Sequence, residues 1–322
     1  MAEIRIGVIG AGAMGRNHVR VLAALEAGGP AEAGGNGVEL VGVADRDPNA
    51  LAAALERAGR ADIPTFASYE ELVPDCDALV VAVPTSRHEE IGRELLAAGK
   101  HVLMEKPIAP DLDAADRLLE AAHRADRVLA VGHVEFHNPA VSALLAAARG
   151  ARFVEVQRLG VFSPRSLDVD VVLDLMIHDL QILHALDPSP LAEVRATGIQ
   201  VLSPRVDIAN VRLELESGCT ANLTASRVSS ERIRKLRVFL PERYYSLDYV
   251  DQEVKGYRLT EDASGKHILP DDLPVEGEEP LRRELVAFLA ACRGDEDAGH
   301  VTGAQGRQAL ATALAVMEAI EG

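Results

Sequence analysis

Near its N-terminus the chain reads Ile4-Arg-Ile-Gly-Val-Ile-Gly-Ala-Gly-Ala-Met-Gly-Arg-Asn-His18. An apolar, β-type run enters Gly10-x-Gly12-x-x-Gly15, and a helical Ala/Val/Leu pattern follows it. In such a turn the first glycine permits a tight bend, the second lets a pyrophosphate approach the backbone, and the third lets the helix pack on the strand. The positive end of the helix faces the phosphates. We therefore predict a dinucleotide site that uses Gly10, Gly12, Ala13, Met14 and Gly15.

The acid that hydrogen-bonds the ribose in such sites usually lies about 20 residues after the last glycine. Here the strand Val38–Ala44 ends at Asp45, 30 residues after Gly15. The Gly-rich stretch 27–37, which we expect to be a mobile surface insertion of unassigned role, accounts for the excess. A carboxylate at Asp45 favours NAD over NADP. The neighbouring Arg46 keeps NADP open, because a guanidinium pairs with a 2′-phosphate or stacks on adenine.

Composition excludes several classes of protein. A length of 322 residues with 48% hydrophobic residues suits two domains that fold without disulfides. We find neither a membrane-length apolar run nor a signal-peptide pattern, so we expect a cytoplasmic protein without a membrane partner. The net charge of −17 argues against nucleic-acid binding. Cys76, Cys219 and Cys292 lack the spacing of a disulfide framework or a zinc cluster.

Strands and helices alternate through residues 1–130, which we assign to the dinucleotide-binding domain. The predicted helices cover 48–58, 86–98 and 112–124, and the later strands cover 77–83, 101–104 and 127–132. This alternation predicts an α/β fold with a parallel, doubly wound sheet and a ligand at the carboxyl ends of its strands. Two further segments end at that edge. They add to the predicted cofactor site Val83, Pro84, Thr85, His88, Glu105 and Lys106.

The segment around Asp170, Asp174 and His178 predicts a helix in which these residues, at i, i+4 and i+8, share one face. A carboxylate one turn away orients an imidazole and biases its pKa. Apolar neighbours would keep such a pair partly dry. Taken alone, the pattern also fits a helix-stabilising Asp–His pair at a domain junction.

Together, the glycine turn, Glu105-Lys106-Pro107 and Asp174-x-x-x-His178 resemble the Gfo/Idh/MocA oxidoreductases over essentially the whole chain. The resemblance implies a Rossmann domain and an α/β domain built on an open, mainly antiparallel sheet. It implies an NAD-dependent dehydrogenase of sugars or cyclitols in which Lys106 contacts substrate hydroxyl and nicotinamide, His178 is the acid/base, and Asp174 belongs to the same constellation. It also implies a cis peptide bond before Pro107.

Residues 132–135, 168–180 and 222–229 are similar to bacterial UDP-N-acetylglucosamine 3-dehydrogenases of the same family. This likeness implies oxidation of the sugar C3 hydroxyl to a ketone, in a lipid A or other nucleotide-sugar pathway. Three alternatives stay open: a dehydrogenase of a free sugar or inositol, redox-assisted glycoside or lyase chemistry, and a non-catalytic NAD-binding sensor.

The second domain, residues 131–322, is predicted to contain strands at 153–159, 194–202, 208–216, 219–227, 234–240, 244–249 and 254–259. One face of this sheet should pack on helices. The other, bearing Tyr245, Leu247 and Tyr249, should pair with another subunit in a homodimer or homotetramer.

Several polar residues of the second domain are candidates for the substrate site. The predicted substrate-binding residues are Lys106, His133, Arg158, Arg165, Asp174, His178 and Arg227, with the arginines facing a pyrophosphate. Arg232, Arg234 and Lys235 are further candidates for the same anion. His133, Glu135 and His137 alternate, so on a strand they would form a polar row near the substrate. We predict no metal site there.

Overall fold

The computed structural model describes residues 3–28, 37–162 and 169–322. The chain divides into two compact units, one formed by Met1–Val134 and Glu279–Arg307, the other by Glu135–Glu278 and Gln308–Gly322. Most of the predicted insertion at 27–37, residues 29–36, lies outside the described residues.

Six strands of the described chain form the sheet of the first unit, in the order β3-β2-β1-β4-β5-β6 with every pair parallel. They are β1 (Ile4–Ile9), β2 (Val38–Ala44), β3 (Thr65–Phe66), β4 (Ala78–Val81), β5 (His101–Glu105) and β6 (Leu129–Gly132). The helices between them are α1 (Gly15–Glu26), α2 (Pro48–Ala58), α3 (Tyr69–Leu72), α4 (His88–Ala97) and α5 (Leu112–Ala125). The strand order reverses at β1 and β4, and a crevice at the carboxyl ends of the strands is expected at such a point. The predicted parallel α/β sheet is confirmed.

Local sequence explains where these helices begin and end. Asp47 precedes α2, and its side chain accepts a hydrogen bond of 2.9 Å from the backbone N–H of Asn49. Gly59 ends the same helix in the left-handed conformation, with φ of 66°. Asp111 caps α5 in the same way, accepting from the N–H of Ala114 at 2.8 Å. Such caps satisfy backbone groups that the helix itself leaves without partners.

The described part of the second unit contains an eight-stranded sheet in the order β14-β13-β12-β11-β7-β10-β9-β8. Only β7 and β10 pair in parallel among its neighbours, so the predicted mainly antiparallel sheet is confirmed. The strands are β7 (Phe153–Leu159), β8 (Leu191–Ile199), β9 (Ile208–Leu215), β10 (Thr220–Ser226), β11 (Ile233–Leu240), β12 (Arg243–Asp248), β13 (Glu253–Asp262) and β14 (Gly265–Pro270). Two helices lie between its strands or before them: α6 (Pro139–Ala147), which was not predicted, and α7 (Ile177–Leu186).

The prediction for the two faces of this sheet was wrong in one respect. Tyr245, Leu247 and Tyr249 are buried in the core of the second unit rather than displayed on the open face. The open face instead carries polar cross-strand pairs. Asn210 donates to Thr224 at 2.9 Å, and Arg237 donates to Glu155 at 2.8 Å. The pleat decides this outcome, because residues two apart on a strand share a face and the three apolar residues move together.

The predicted second domain was continuous from residue 131, whereas the structure places Glu279–Arg307 with the first unit. The reason is the apolar face of α8 (Pro280–Cys292), whose Leu281, Leu285, Phe288 and Leu289 join the core of the first unit. Helix α9 (Gly303–Glu321) then runs from the first unit into the second. No helix within the described ranges has the length and apolarity of a membrane span.

Replacing Phe288 tests whether α8 completes the first core. Phe288→Ala removes a ring that is fully buried, so we expect a loss of about 3–5 kcal/mol in the free energy of unfolding, measured by urea denaturation. Val286→Ala, in the same helix but 38% exposed, is the control and should cost less than about 0.5 kcal/mol. Equal losses in the two variants would contradict the assignment.

Candidate active site

The glycine turn has the geometry that a dinucleotide site requires. Gly10 has φ of 93°, a conformation that favours glycine. A Cβ on Gly15 would lie 1.8 Å from the carbonyl oxygen of Gly10, so only glycine permits this approach of helix to strand. A Cβ on Gly12 would meet no atom within 4 Å. The open space at Gly12 fits an approaching pyrophosphate.

A cleft of about 400 Å³ lies at this end of the sheet. It brings together six of the predicted cofactor residues: Gly10, Gly12, Asp45, Arg46, Val83 and Pro84. Four polar residues that were not predicted line the same cleft: Ser68, Tyr69, Glu70 and Arg87. The sequence signal for Ser68, Tyr69 and Glu70 was their position just after the short strand β3. Residues that follow a parallel strand reach the ligand-binding edge of the sheet.

Asp45 occupies the position predicted for the ribose ligand. Its Oδ2 accepts a hydrogen bond of 2.7 Å from the N–H of Ala11, inside the glycine turn. Its Oδ1 accepts from the N–H of Asp47 at 2.9 Å. These bonds orient the carboxylate at the cleft, and an ionised carboxylate has further lone pairs for two hydroxyl groups.

His88 does not line the cleft as predicted. The side chain is buried, with Nδ1 2.9 Å from the carbonyl oxygen of Pro107 and Nε2 3.0 Å from that of Val83. Burial lowers the pKa of His88, and the two carbonyl groups oppose that shift. The imidazole therefore links two loops beneath the cleft.

Thr85 starts a short 3₁₀ turn, Thr85–Arg87, and is not among the residues that line the cleft.

The Lys106 segment follows β5. The peptide bond between Lys106 and Pro107 is cis, as the resemblance implied. Lys106 is half-buried, whereas the Glu105 side chain is buried and lies 2.7 Å from Nε2 of His18. Glu105 thus faces the interior of the first unit rather than the cofactor cleft. Its partner His18 lies three residues after Gly15 and had no predicted role.

In the glycine turn itself, the two residues between Gly12 and Gly15 differ in exposure. Ala13 is exposed, and its carbonyl oxygen accepts a hydrogen bond from the Asn17 side chain at 3.0 Å. Met14 is the N-cap residue of α1 and packs partly against the core.

In the second unit, Asp174 and His178 lie on consecutive helical turns. Val172–Met176 forms a π-helical turn, and α7 follows at Ile177. Such wide turns occur frequently at functional sites. Asp170 does not share this face as predicted. Its Oδ1 accepts a hydrogen bond of 2.8 Å from the N–H of Val206, because Asp170 precedes the helix.

Arg158 does not fit the predicted role in binding pyrophosphate. Its side chain is 2% exposed and makes two bonds of 2.7 Å to Asp179 and one of 2.9 Å to Glu135. The guanidinium also lies 4.9 Å from the ring centroid of Tyr249. Despite burial, the two carboxylates keep the pKa of Arg158 well above its ordinary value. Arg158 therefore fixes α7, in which Asp179 follows His178.

Arg227 is likewise engaged inside the second unit. Its side chain is buried, donates to the carbonyl oxygens of Val169 and Val206, and lies 3.5 Å from Asp207. This placement does not fit a residue that faces a phosphate. Arg165, the third predicted arginine, lies outside the described residues.

The predicted polar row of His133, Glu135 and His137 is not on a strand. Val134–His137 forms a 3₁₀ turn, so the residues do not alternate across a pleat. His133 and His137 are buried, and Glu135 is bonded to Arg158 and, at 2.7 Å, to Arg234. These two arginines hold the pKa of Glu135 below its ordinary value despite burial.

Comparison with known proteins agrees with this geometry. A family model described as an oxidoreductase family with an NAD-binding Rossmann fold matches residues 4–133. The UDP-N-acetylglucosamine 3-dehydrogenase of Acidithiobacillus ferrooxidans is 36% identical over 329 residues, which cover 100% of this chain and 98% of that protein. The chain belongs to the Gfo/Idh/MocA oxidoreductase family. This confirms the resemblance, and as a member of the family the protein is an NAD(P)-dependent oxidoreductase.

A solved structure of that enzyme and one further relative support the assignment. A solved structure of UDP-N-acetylglucosamine 3-dehydrogenase from Acidithiobacillus ferrooxidans matches with a TM-score of 0.88 and 33% identity, covering 100% of this chain and 99% of that one. Inositol 2-dehydrogenase 2 of Paenarthrobacter aurescens is 28% identical over 340 residues, covering 98% of this chain and 96% of that protein. Both alignments span the two units.

Two glycine variants separate folding from cofactor binding. In Gly12→Ala the added methyl group meets no protein atom, so the melting temperature should not change, but NADH should bind at least about tenfold more weakly. In Gly15→Ala the methyl group collides with the Gly10 carbonyl oxygen, so stability should fall by about 3 kcal/mol. Thermal unfolding and NADH fluorescence titration measure the two effects. Unchanged NADH affinity in Gly12→Ala would place the pyrophosphate elsewhere.

Proposed function

We propose that the protein is an NAD-dependent dehydrogenase that oxidises the C3 hydroxyl of UDP-N-acetylglucosamine to a ketone. The full-length identity of 36% to an enzyme of that name carries the proposal. The alignment extends beyond the dinucleotide-binding residues into the second unit, where we expect the sugar to be recognised.

The residues proposed for the reaction have distinct tasks. His178 takes the proton from the hydroxyl group as general base. The ammonium group of Lys106 polarises the same oxygen and stabilises the negative charge that develops on it. Asp174, four residues before His178, orients the imidazole.

The cofactor site is proposed to hold NAD in preference to NADP. When bound, NAD supplies the hydride acceptor. Gly10, Gly12 and the N-terminus of α1 hold the pyrophosphate, and Asp45 accepts hydrogen bonds from the ribose. The carboxylate of Asp45, oriented by two backbone N–H groups, repels a 2′-phosphate. Arg46, exposed beside it, is the residue that would instead favour NADP.

The substrate's pyrophosphate needs cationic side chains other than Arg158 and Arg227. We propose Arg232, which is exposed, and Arg234, which is 27% exposed and bonded to Glu135. Burial and the positive charge of the neighbouring Arg158 lower the pKa of Arg234. A bound anion would therefore offset the repulsion between these two guanidinium groups.

The homodimer or homotetramer predicted from the sequence stays a prediction. The open face of the sheet is polar, so pairing there would use hydrogen bonds such as those of the Asn210 and Thr224 row. Light scattering after size exclusion should give two or four times 34.4 kDa, and Thr224→Arg should reduce that mass to the monomer. A monomeric wild type would contradict the prediction. The cytoplasmic location also stays a prediction.

Turnover by the purified protein tests the proposed function. With NAD, we expect NADH to appear on addition of UDP-N-acetylglucosamine but not with free glucose or myo-inositol, and we expect a lower rate with NADP. Lys106→Ala and His178→Asn should each reduce kcat by about 10²-fold or more, since each removes a group that moves or stabilises charge. His123→Asn, on the exposed face of α5, is the matched control and should leave kcat unchanged.

Each other outcome selects an alternative. Turnover of a free sugar or inositol alone would contradict the nucleotide-sugar substrate. Product formation with no net NADH release would indicate redox-assisted glycoside or lyase chemistry. NADH binding with no turnover, and no effect of His178→Asn on any reaction, would indicate a sensor.

A further inference from the structure

A buried cluster next to Lys106 contains two carboxyl groups and one imidazole. It consists of His18 in α1, Glu105 at the end of β5 and Glu284 in α8. One nitrogen or oxygen atom of each residue lies within 4.8 Å of the others. The three residues are 0%, 6% and 2% exposed, respectively. The mechanism proposed above gives none of them a task.

Glu105 joins this cluster to the lysine segment. Its Oε1 lies 2.7 Å from His18, and its Oε2 accepts a bond of 3.3 Å from the backbone N–H of Lys106. A Cβ on Gly132 would approach the carboxyl carbon of Glu105 to 3.2 Å, so the side chain packs directly on that glycine. The position of the Glu105 carboxylate and the backbone position of Lys106 are therefore linked.

Glu284 is the unexplained member. Among the described residues, no N–H or O–H group donates a hydrogen bond to either of its carboxyl oxygens. Burial, together with the charge of Glu105, raises the pKa of Glu284 well above its ordinary value. Two adjacent buried carboxylates repel each other, and an isolated buried charge is far costlier than a neutral acid.

We propose that Glu284 is a positioning residue for Lys106, acting as a neutral carboxylic acid that directs its proton to the Glu105 carboxylate. The imidazole of His18 contacts the same carboxylate. Together, Glu284 and His18 fix the Glu105 side chain, which accepts a hydrogen bond from the backbone N–H of Lys106. The inference rests on the proposed function only for the role of Lys106, which is to polarise the hydroxyl oxygen of the substrate. The contacts of the three buried side chains do not depend on it.

The distance between His18 and Glu105 favours a hydrogen bond over a shared divalent metal. His18 and Glu105 are 2.7 Å apart, a hydrogen-bond distance. Two ligands about 2.0–2.1 Å from one tetrahedral zinc ion would lie about 3.4 Å apart. A metal at these residues would have to break the bond between His18 and Glu105, so we treat it as an outcome that the experiment must detect.

The experiment compares Glu284→Gln, Glu284→Leu and the control Leu285→Ala in the full-length protein. The readouts are kcat and KM, NADH affinity, and the rate at which formaldehyde and cyanoborohydride methylate Lys106. Mass spectrometry gives that rate relative to the exposed Lys255 in the same sample. Methylation reports the environment of Lys106 whether or not a substrate is turned over.

The two Glu284 variants should differ in kcat and in the methylation ratio of Lys106. Glu284→Gln keeps a hydrogen-bond donor, so kcat and the methylation ratio should stay within about twofold of the wild type. Glu284→Leu removes the donor, so kcat should fall about tenfold and the ratio should change about threefold, with NADH affinity and KM little altered. Leu285→Ala should lower the melting temperature through loss of core packing and leave the methylation ratio unchanged.

Three results would overturn the proposal. Equal impairment of Glu284→Gln and Glu284→Leu would mean that a charged carboxylate is needed. If Glu284→Leu kept the methylation ratio and the kcat of the wild type, Glu284 would not position Lys106. Stoichiometric metal in the wild type that is lost in Glu284→Gln would identify a metal site instead. A wild type that fails to oxidise UDP-N-acetylglucosamine would contradict the proposed function alone, and the methylation ratios would still decide the role of Glu284.

Discussion

The close approach of α1 to the first strand is the constraint on which the first unit depends. At Gly15 the helix passes so near the Gly10 carbonyl that no side chain fits. This contact sets the start of the helix and places Ala11 where it donates to Asp45. Two neighbouring strand ends are thereby joined at the edge where parallel sheets bind ligands.

Much of this unit could be predicted because its signals are local. Three glycines within six residues specify a turn, and an acid at the next strand end predicts where a ribose would bind. The roles of buried charged residues could not be read in that way. Arg158 looks like any strand arginine until Asp179 and Glu135, 21 and 23 residues away in the chain, are found bonded to it. Burial depends on the tertiary fold, and composition says little about it.

The errors in the second unit have a similar origin. Period-2 patterns gave seven of its strands to within a few residues, yet Tyr245, Leu247 and Tyr249 were assigned to the wrong face. Alternation tells which residues share a face, but which face is covered depends on helices from elsewhere in the chain. The polar face that is left open resembles the rim of a protein interface more than its core.

The placement of α8 has a consequence for how the protein is made. Its Leu285 and Phe288 complete the core of a unit whose sheet is finished by Gly132. A ribosome must therefore synthesise the whole second sheet before the first unit can close its apolar interior. During that interval the nascent Rossmann unit displays the surface that α8 will cover, a surface suited to a chaperone. A fragment that stops at Val134 would keep that surface exposed permanently.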